Sequence, residues 1–278
     1  MSFEFGILSD EISLNLDEAL REGSALGFRK YEIRCIDSYE ERVPYFKKEY
    51  EDRLVREVEE GNIEVTAISP GLFKIKLSET EKLEKQLHTD LPKTCELAVR
   101  MKCPIIIVFG FLTEEGGNRD EVIRHLSEAG KITASYGLKL AVENEPGAYC
   151  DTGERTAAIV KAIDQPDVGI NWDPANAISC YEPAYPIGYE AVKPYLLNVH
   201  IKDQIPLPPD KWENRLIGDG GMNWVGQLRA LKRDKILPHL TLETHVFPLL
   251  ESTHEDMRRL KILMQTVDAF DSGSGDPA

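Results

Sequence analysis

Residues 168–176 read VGINWDPAN: an apolar stretch that ends on an acid, Asp173, and then meets a proline. Three other segments have the same form. LKLAVENEP (138–146) ends its apolar run on Glu143, LLNVHIKD (196–203) carries His200 near its end, and LTLETHV (240–246) carries Glu243. Short runs rich in Val, Ile and Leu, apolar at successive positions, are the pattern of strands buried on both faces, as in a parallel sheet covered by helices. Side chains alternate along a strand, so the residue two back from each acid or histidine shares its face. Those residues are Ala141, Asn171, Asn198 and Thr241, all small or polar, whereas Val142, Trp172, Val199 and Leu242 point the other way.

Moving outward, four earlier runs complete the set: Glu4–Ser9, Lys30–Cys35, Glu64–Ser69 and Pro104–Gly110, ahead of Lys139–Glu143, Val168–Asp173, Leu196–Ile201 and Leu240–Glu243. Helical stretches separate them. Asn15–Leu26 stops at Gly27, Tyr45–Glu60 stops at Gly61, and Asp120–Tyr136 stops at Gly137, each glycine a natural helix end. Glu79–Met101 is helical in pattern, with Pro92 expected to break or kink it. Arg155–Ile163, Tyr189–Tyr195, Trp224–Arg233 and His254–Ala269 supply the rest. Eight alternations of strand and helix predict a single-domain α/β fold, a (β/α)8 TIM barrel over residues 1–270. An open doubly wound sheet is the competitor, but the G-x-G-x-x-G turn it usually carries after the first strand is missing from ILSDE. The tail DSGSGDPA (271–278) has the small polar composition of a disordered end.

The chain has 278 residues and a net charge of −15, with 33 basic against 48 acidic side chains. That balance argues against nucleic acid or an anionic membrane as partner, since phosphate backbones are met by basic faces. The five cysteines, Cys35, Cys95, Cys103, Cys150 and Cys180, form no C-x-x-C pair and read as reduced thiols. No apolar run approaches the roughly 20 residues a membrane helix needs, and MSFEFGILSDE lacks a secretory pattern. The expected location is cytoplasmic.

In a TIM barrel the C-terminal ends of the strands form the active mouth. Glu143, Asp173, His200 and Glu243 would converge there as a metal cage, although each taken singly could instead be a helix cap or a loop ion pair. Three carboxylates, one imidazole and no thiol form a hard donor set. It favours Mn²⁺ or Mg²⁺, with Co²⁺ or Zn²⁺ as alternatives. Around it, Asn176, Lys202, Arg215 (in NRLIGDGG) and His245 are candidates for substrate binding, and Asp10, Glu11 and Arg34 are read as lining the pocket or pairing with one another. Glu145 is read as a loop carboxylate.

The series ENEP, NWDPAN, HIKD, GDG and LET, with the opening SDEISLNLDEAL and LGFRKYEIR, resembles the sugar isomerase/epimerase superfamily with a xylose-isomerase-like barrel. The resemblance covers nearly the whole chain. It implies that Glu143, Asp173, His200 and Glu243 hold one divalent metal, and that Glu143 and Glu243 also exchange protons with the substrate. The implied activity is isomerisation or epimerisation of a small sugar, polyol-derived ketone or keto acid, by proton abstraction beside a metal-bound carbonyl. A dehydratase acting on an inosose- or dehydroshikimate-like substrate is a second expectation on the same site, and a non-catalytic carbohydrate-binding barrel a third. A DNA-repair endonuclease is disfavoured, because the early strand ends ILSDE, EIRCI, AISPG and IVFGF contain no histidine. The chain departs from the ketose epimerases at Asn176, where they carry a second histidine, and at Pro206, where they carry arginine, so substrate recognition should differ. The expected partner is a small sugar-like molecule, with a homo-oligomer also compatible.

Overall fold

The computed structural model describes residues 3–208, 211–237 and 239–273. Eight parallel strands close into a barrel: β1 (Glu4–Leu8), β2 (Lys30–Ile33), β3 (Glu64–Ile68), β4 (Ile105–Phe109), β5 (Lys139–Glu143), β6 (Val168–Trp172), β7 (Leu196–Ile201) and β8 (His239–Leu242). Each pairs with its sequence neighbours, and β8 returns to β1, with Ile7 opposite Leu242. All eight expected runs are therefore barrel strands. Parallel neighbours need a crossover, and helices supply it on the outside. Trp172 and Trp224 are fully buried, and Trp172 Nε1 donates to Gln227 Oε1 (3.3 Å) on the Trp224–Asp234 helix, as its outward register requires.

The barrel interior changes character along its axis. Ala67, Ile105, Ile107 and Ala141 form a small apolar cluster of their own. Above it the inward positions turn polar: Asn198 Nδ2 lies 3.3 Å from Glu32 Oε2, and Thr241 Oγ1 is 3.4 Å from Asn198 Oδ1. The sequence predicts this switch from the residues two back from each strand end.

Local rules explain the helix boundaries. Asn15 Oδ1 accepts from the Glu18 amide (3.0 Å) to cap Leu16–Leu26, and Gly27 ends it at φ 93°. Pro92 does not break its helix. Thr80–Lys85 continues through a π-turn, Gln86–Asp90, into Leu91–Arg100. The wider turn just before the proline accommodates the hydrogen bond that its missing N–H cannot make.

Two antiparallel hairpins were not legible as strands, being short and polar. Cys35–Ile36 pairs with Ser38–Arg42 after β2, and Asp203–Leu207 with Lys211–Arg215 after β7. Both follow C-terminal strand ends and so rim the mouth. The closing helix, Leu249–Gly273, begins earlier and ends later than the sequence pattern indicates. Of the tail expected from residue 271, positions 274–278 lie outside the described residues. All five cysteines are free. Among the described residues, no helix is long and apolar enough to cross a membrane.

Candidate metal centre

Glu143 is the last residue of β5, Asp173 follows β6, His200 lies on β7, and Glu243 follows β8. Each offers one ligand atom, and these atoms all lie within 4.8 Å of one another, with all four residues buried. Asp173 has two tasks. Its Oδ1 caps the short helix Pro174–Ser179 by accepting from the amides of Ala175 and Asn176, both at 3.0 Å. Its Oδ2 is buried and faces the centre, where Lys202 Nζ lies 2.6 Å away as the cationic partner that an ion would share or replace. Asn144 fixes the backbone there, donating Nδ2 to the Asp173 carbonyl (2.7 Å) and accepting the Asp173 amide at Oδ1 (2.8 Å).

His200 is oriented from behind. Its Nε2 faces Glu32 Oε2 at 3.0 Å, while Nδ1 lies 3.2 Å from Glu243 Oε2 and 3.5 Å from Glu143 Oε1. A carboxylate at Nε2 keeps a proton there and turns Nδ1 toward the cage, the usual support for a ligating histidine. Glu32 is itself held by the Ser69 hydroxyl and Asn198. Burial lowers the pKa of His200, but Glu32, Glu143 and Glu243 outweigh it and hold it well above 6.5. A cation bound at Nδ1 would need that nitrogen free of its proton.

Glu243 is the most heavily paired group. Arg34 Nη1 lies 2.6 Å from its Oε1, with His245 Nε2 at 3.1 Å, and Lys202 Nζ lies 3.3 Å from its Oε2. Burial pushes its carboxyl up, yet Lys202, His245 and His200 together hold it well below the usual range. Asp173 goes the other way: burial raises it, and Lys202, whose Nζ sits 2.6 Å from Oδ2, offsets that only in part. Arg34 also reaches Asp10 (2.8 Å) and Glu11 (2.7 Å), so these three do pair with one another. Glu11 in turn accepts from the ring Nδ1 and the backbone amide of His245, both at 2.7 Å. Burial disfavours a charged His245, but Glu243 and Glu11 raise its pKa to about 9.

The four sequence candidates for substrate binding are dispersed. Lys202 is buried between Asp173 and Glu243, and His245 lines the mouth cavity. Asn176 is turned to structure, donating Nδ2 to the Asn144 carbonyl (2.9 Å) and reaching Glu145 Oε2 (3.3 Å). Arg215 stands on the outer strand of its hairpin with Nη2 on Glu213 at 2.8 Å. The glycine loop beside it is organised by Asp203, whose carboxylate accepts from the amides of Gly218 (2.9 Å) and Met222 (3.1 Å). Glu32, behind His200, and Arg42, in the lining of the mouth cavity, are residues that sequence reading missed. Glu32 had a signal: a charge inside the apolar run KYEIRC, two before Arg34 and on the same face.

The sequence model of the xylose isomerase-like TIM barrel matches residues 20–263, and the chain belongs to that family. An uncharacterized protein of Methanocaldococcus jannaschii is 26% identical over 180 residues, a match spanning 61% of this chain and 60% of that protein. Solved structures with the same fold include the IolI protein with a bound zinc atom (TM-score 0.77, 20% identity, 95% of this chain and 97% of that one). A D-tagatose 3-epimerase-like protein superposes at TM-score 0.76, with 21% identity over 96% of this chain and 98% of its own. The probable 3-DHS dehydratase AsbF of Bacillus anthracis gives TM-score 0.71, with 15% identity over 94% and 99%.

Proposed function

We propose that the protein is a divalent-metal-dependent isomerase or epimerase of a small sugar, polyol-derived ketone or keto acid. The observation that carries this reading is the cage itself: three carboxylates and one imidazole nitrogen within 4.8 Å, at the C-terminal ends of four consecutive strands. Glu143, Asp173, His200 and Glu243 would hold the ion, Mn²⁺ being the best match to the donor set, with Mg²⁺, Co²⁺ or Zn²⁺ as substitutes. When bound, the ion supplies Lewis-acid polarisation of a substrate carbonyl.

The protein's own residues then divide the work. Glu143 and Glu243 arise from strands on either side of β6 and β7, so they flank a substrate seated at the cage. One takes the proton from the carbon next to the carbonyl, and the other returns a proton to the opposite face or to the neighbouring carbon. Glu243, paired with Arg34, Lys202 and His245, would enter the reaction ionised and so able to accept a proton. Asp173 and His200 mainly hold the ion. Lys202, buried beside Asp173 and Glu243, is placed to donate to a substrate oxygen as negative charge develops there.

Solvent-deuterium incorporation into a panel of ketoses, inososes and dehydroshikimate tests the proposal. Glu143→Gln and Glu243→Gln are each expected to lower incorporation by about 10²–10⁴-fold with the fold intact by circular dichroism. Full turnover by Glu243→Gln would sink the two-carboxylate scheme. Loss of water without an epimer would point instead to the dehydratase reading, to which the likeness to the AsbF fold lends support. A protein that takes up no divalent ion on titration would leave only a carbohydrate-binding barrel.

A further inference from the structure

Above the cage lies a cavity of about 250 Å³, lined by Glu143 and His200 at its base and by Tyr39, Arg42, Lys74 and His245 higher up. This is the small end of ligand pockets, suited to one short polyol chain. Five basic side chains line it, against a single carboxylate, that of Glu143. Four of the five are already matched to acids. Arg34 serves Asp10, Glu11 and Glu243, His200 serves Glu32, Glu143 and Glu243, His245 serves Glu11 and Glu243, and Lys74 Nζ sits 2.6 Å from Glu145 Oε1. Arg42 is the exception. Among the described residues no carboxylate lies within ion-pair distance of it, although the protein as a whole is strongly acidic.

Arg42 is also seated. It is the last residue of the Ser38–Arg42 strand, where its backbone pairs with Cys35. Its side chain lies across Gly71, at φ +75°, in the loop after β3: a Cβ there would come 2.9 Å from Nη1 and 3.1 Å from Cδ. A residue with a side chain at 71 would press on the guanidinium, so the glycine leaves it a place against the wall. Beside it, Lys74 Nζ rests 4.8 Å over the Phe109 ring and is half-exposed, free to swing toward a ligand.

An unmatched guanidinium in the wall of a small cavity needs an anion, and a planar fork of donors fits a carboxylate or a phosphate better than it fits hydroxyls. We propose that the substrate is a polyhydroxy ketone whose far end carries a compact oxyanion, a carboxylate or a phosphate. Arg42 binds that group, with Lys74 beside it. The proposal rests on the reading of this mouth as a sugar-isomerase site, and it narrows that substrate class to its anionic members.

Isothermal titration of the Mn²⁺-loaded protein with three probes lacking an aldehyde or ketone group tests it: an alditol, the matching aldonate and the matching terminal alditol phosphate. None can undergo proton transfer, so the result stands whether or not Glu143 and Glu243 prove catalytic. The wild type should bind at least one anionic probe about ten- to a hundredfold more tightly than the alditol, the range of a charge-assisted pair. Tighter binding of the aldonate assigns a carboxylate, and tighter binding of the phosphate assigns that group. R42Q should erase the preference without changing alditol affinity, and R42K, which keeps the charge but not the fork, should recover part of it. Equal binding of all three probes, or of none, overturns the proposal. So does an anion held equally by wild type and R42Q, since the ion or Lys202 would then be its receptor.

Discussion

The cage residues show how one side chain serves two masters. Asp173 gives one oxygen to a helix N-terminus and turns the other toward the centre beside Lys202, so its capping role leaves room for the proposed ligand role. His200 is useful only because Glu32 decides which nitrogen faces the cage. Glu32→Gln should therefore weaken Mn²⁺ affinity by about 10–100-fold, the usual effect of removing such a support, whereas its neighbours Ser69 and Asn198 can still hydrogen-bond the amide. Isothermal titration with Mn²⁺ measures it, and unchanged affinity would remove Glu32 from the site. His200→Ala should weaken the ion further by deleting a ligand outright.

Among the elements, the two rim hairpins matter more than their size implies. One carries Arg42 and Tyr39 over the mouth, and the other begins at Asp203, which ties the glycine loop at 218–222 to the end of β7. Packing between elements is close where the Gly153–Ile163 helix begins. A Cβ on Gly153 would lie 2.7 Å from the Gly188 carbonyl oxygen and 2.8 Å from its Cα, both backbone atoms that cannot rotate away. Gly153→Ala is expected to cost about 1–3 kcal/mol through overpacking, read as a lower urea midpoint. A neutral result would mean that the 184–188 segment yields. Asn15→Ala, by contrast, removes one exposed helix cap and should cost about 1 kcal/mol.

At the scale of the whole molecule, one buried acid on the last helix makes stability pH-dependent. Asp256 is 1% exposed and accepts from the Ile217 amide at 2.8 Å, joining the Leu249–Gly273 helix to the loop before the glycines. Burial pushes its carboxyl from 3.8 to about 7, despite the Ile217 amide and Arg259. The folded state thus binds this proton more tightly than the unfolded chain. The resulting stability is fully present below about pH 4 and is lost as pH rises through 7, at most about 4 kcal/mol at 1.36 kcal/mol per unit. Urea denaturation from pH 4 to 8 should show that decline in the wild type and a shallower one in Asp256→Asn. Identical slopes would show that other groups govern it.

The eight strands, their order and the placement of Glu143, Asp173, His200 and Glu243 at strand ends were legible in the amino-acid sequence. Each depends on a local period and on burial of apolar runs, and those signals are written residue by residue. The helix stop at Gly27 was legible for the same reason. Pro92 was expected to break or kink its helix; the helix instead continues through the π-turn Gln86–Asp90 just before it, a local rearrangement that the residue pattern does not spell out. What only the tertiary structure decided is which charges meet. Glu32 stands 168 residues before His200, and Arg34 stands 209 before Glu243. Arg42 is distinguished by having no acid within ion-pair distance among the described residues. Charges separated that far along the chain carry no periodic signature, so their pairing is a property of barrel closure alone.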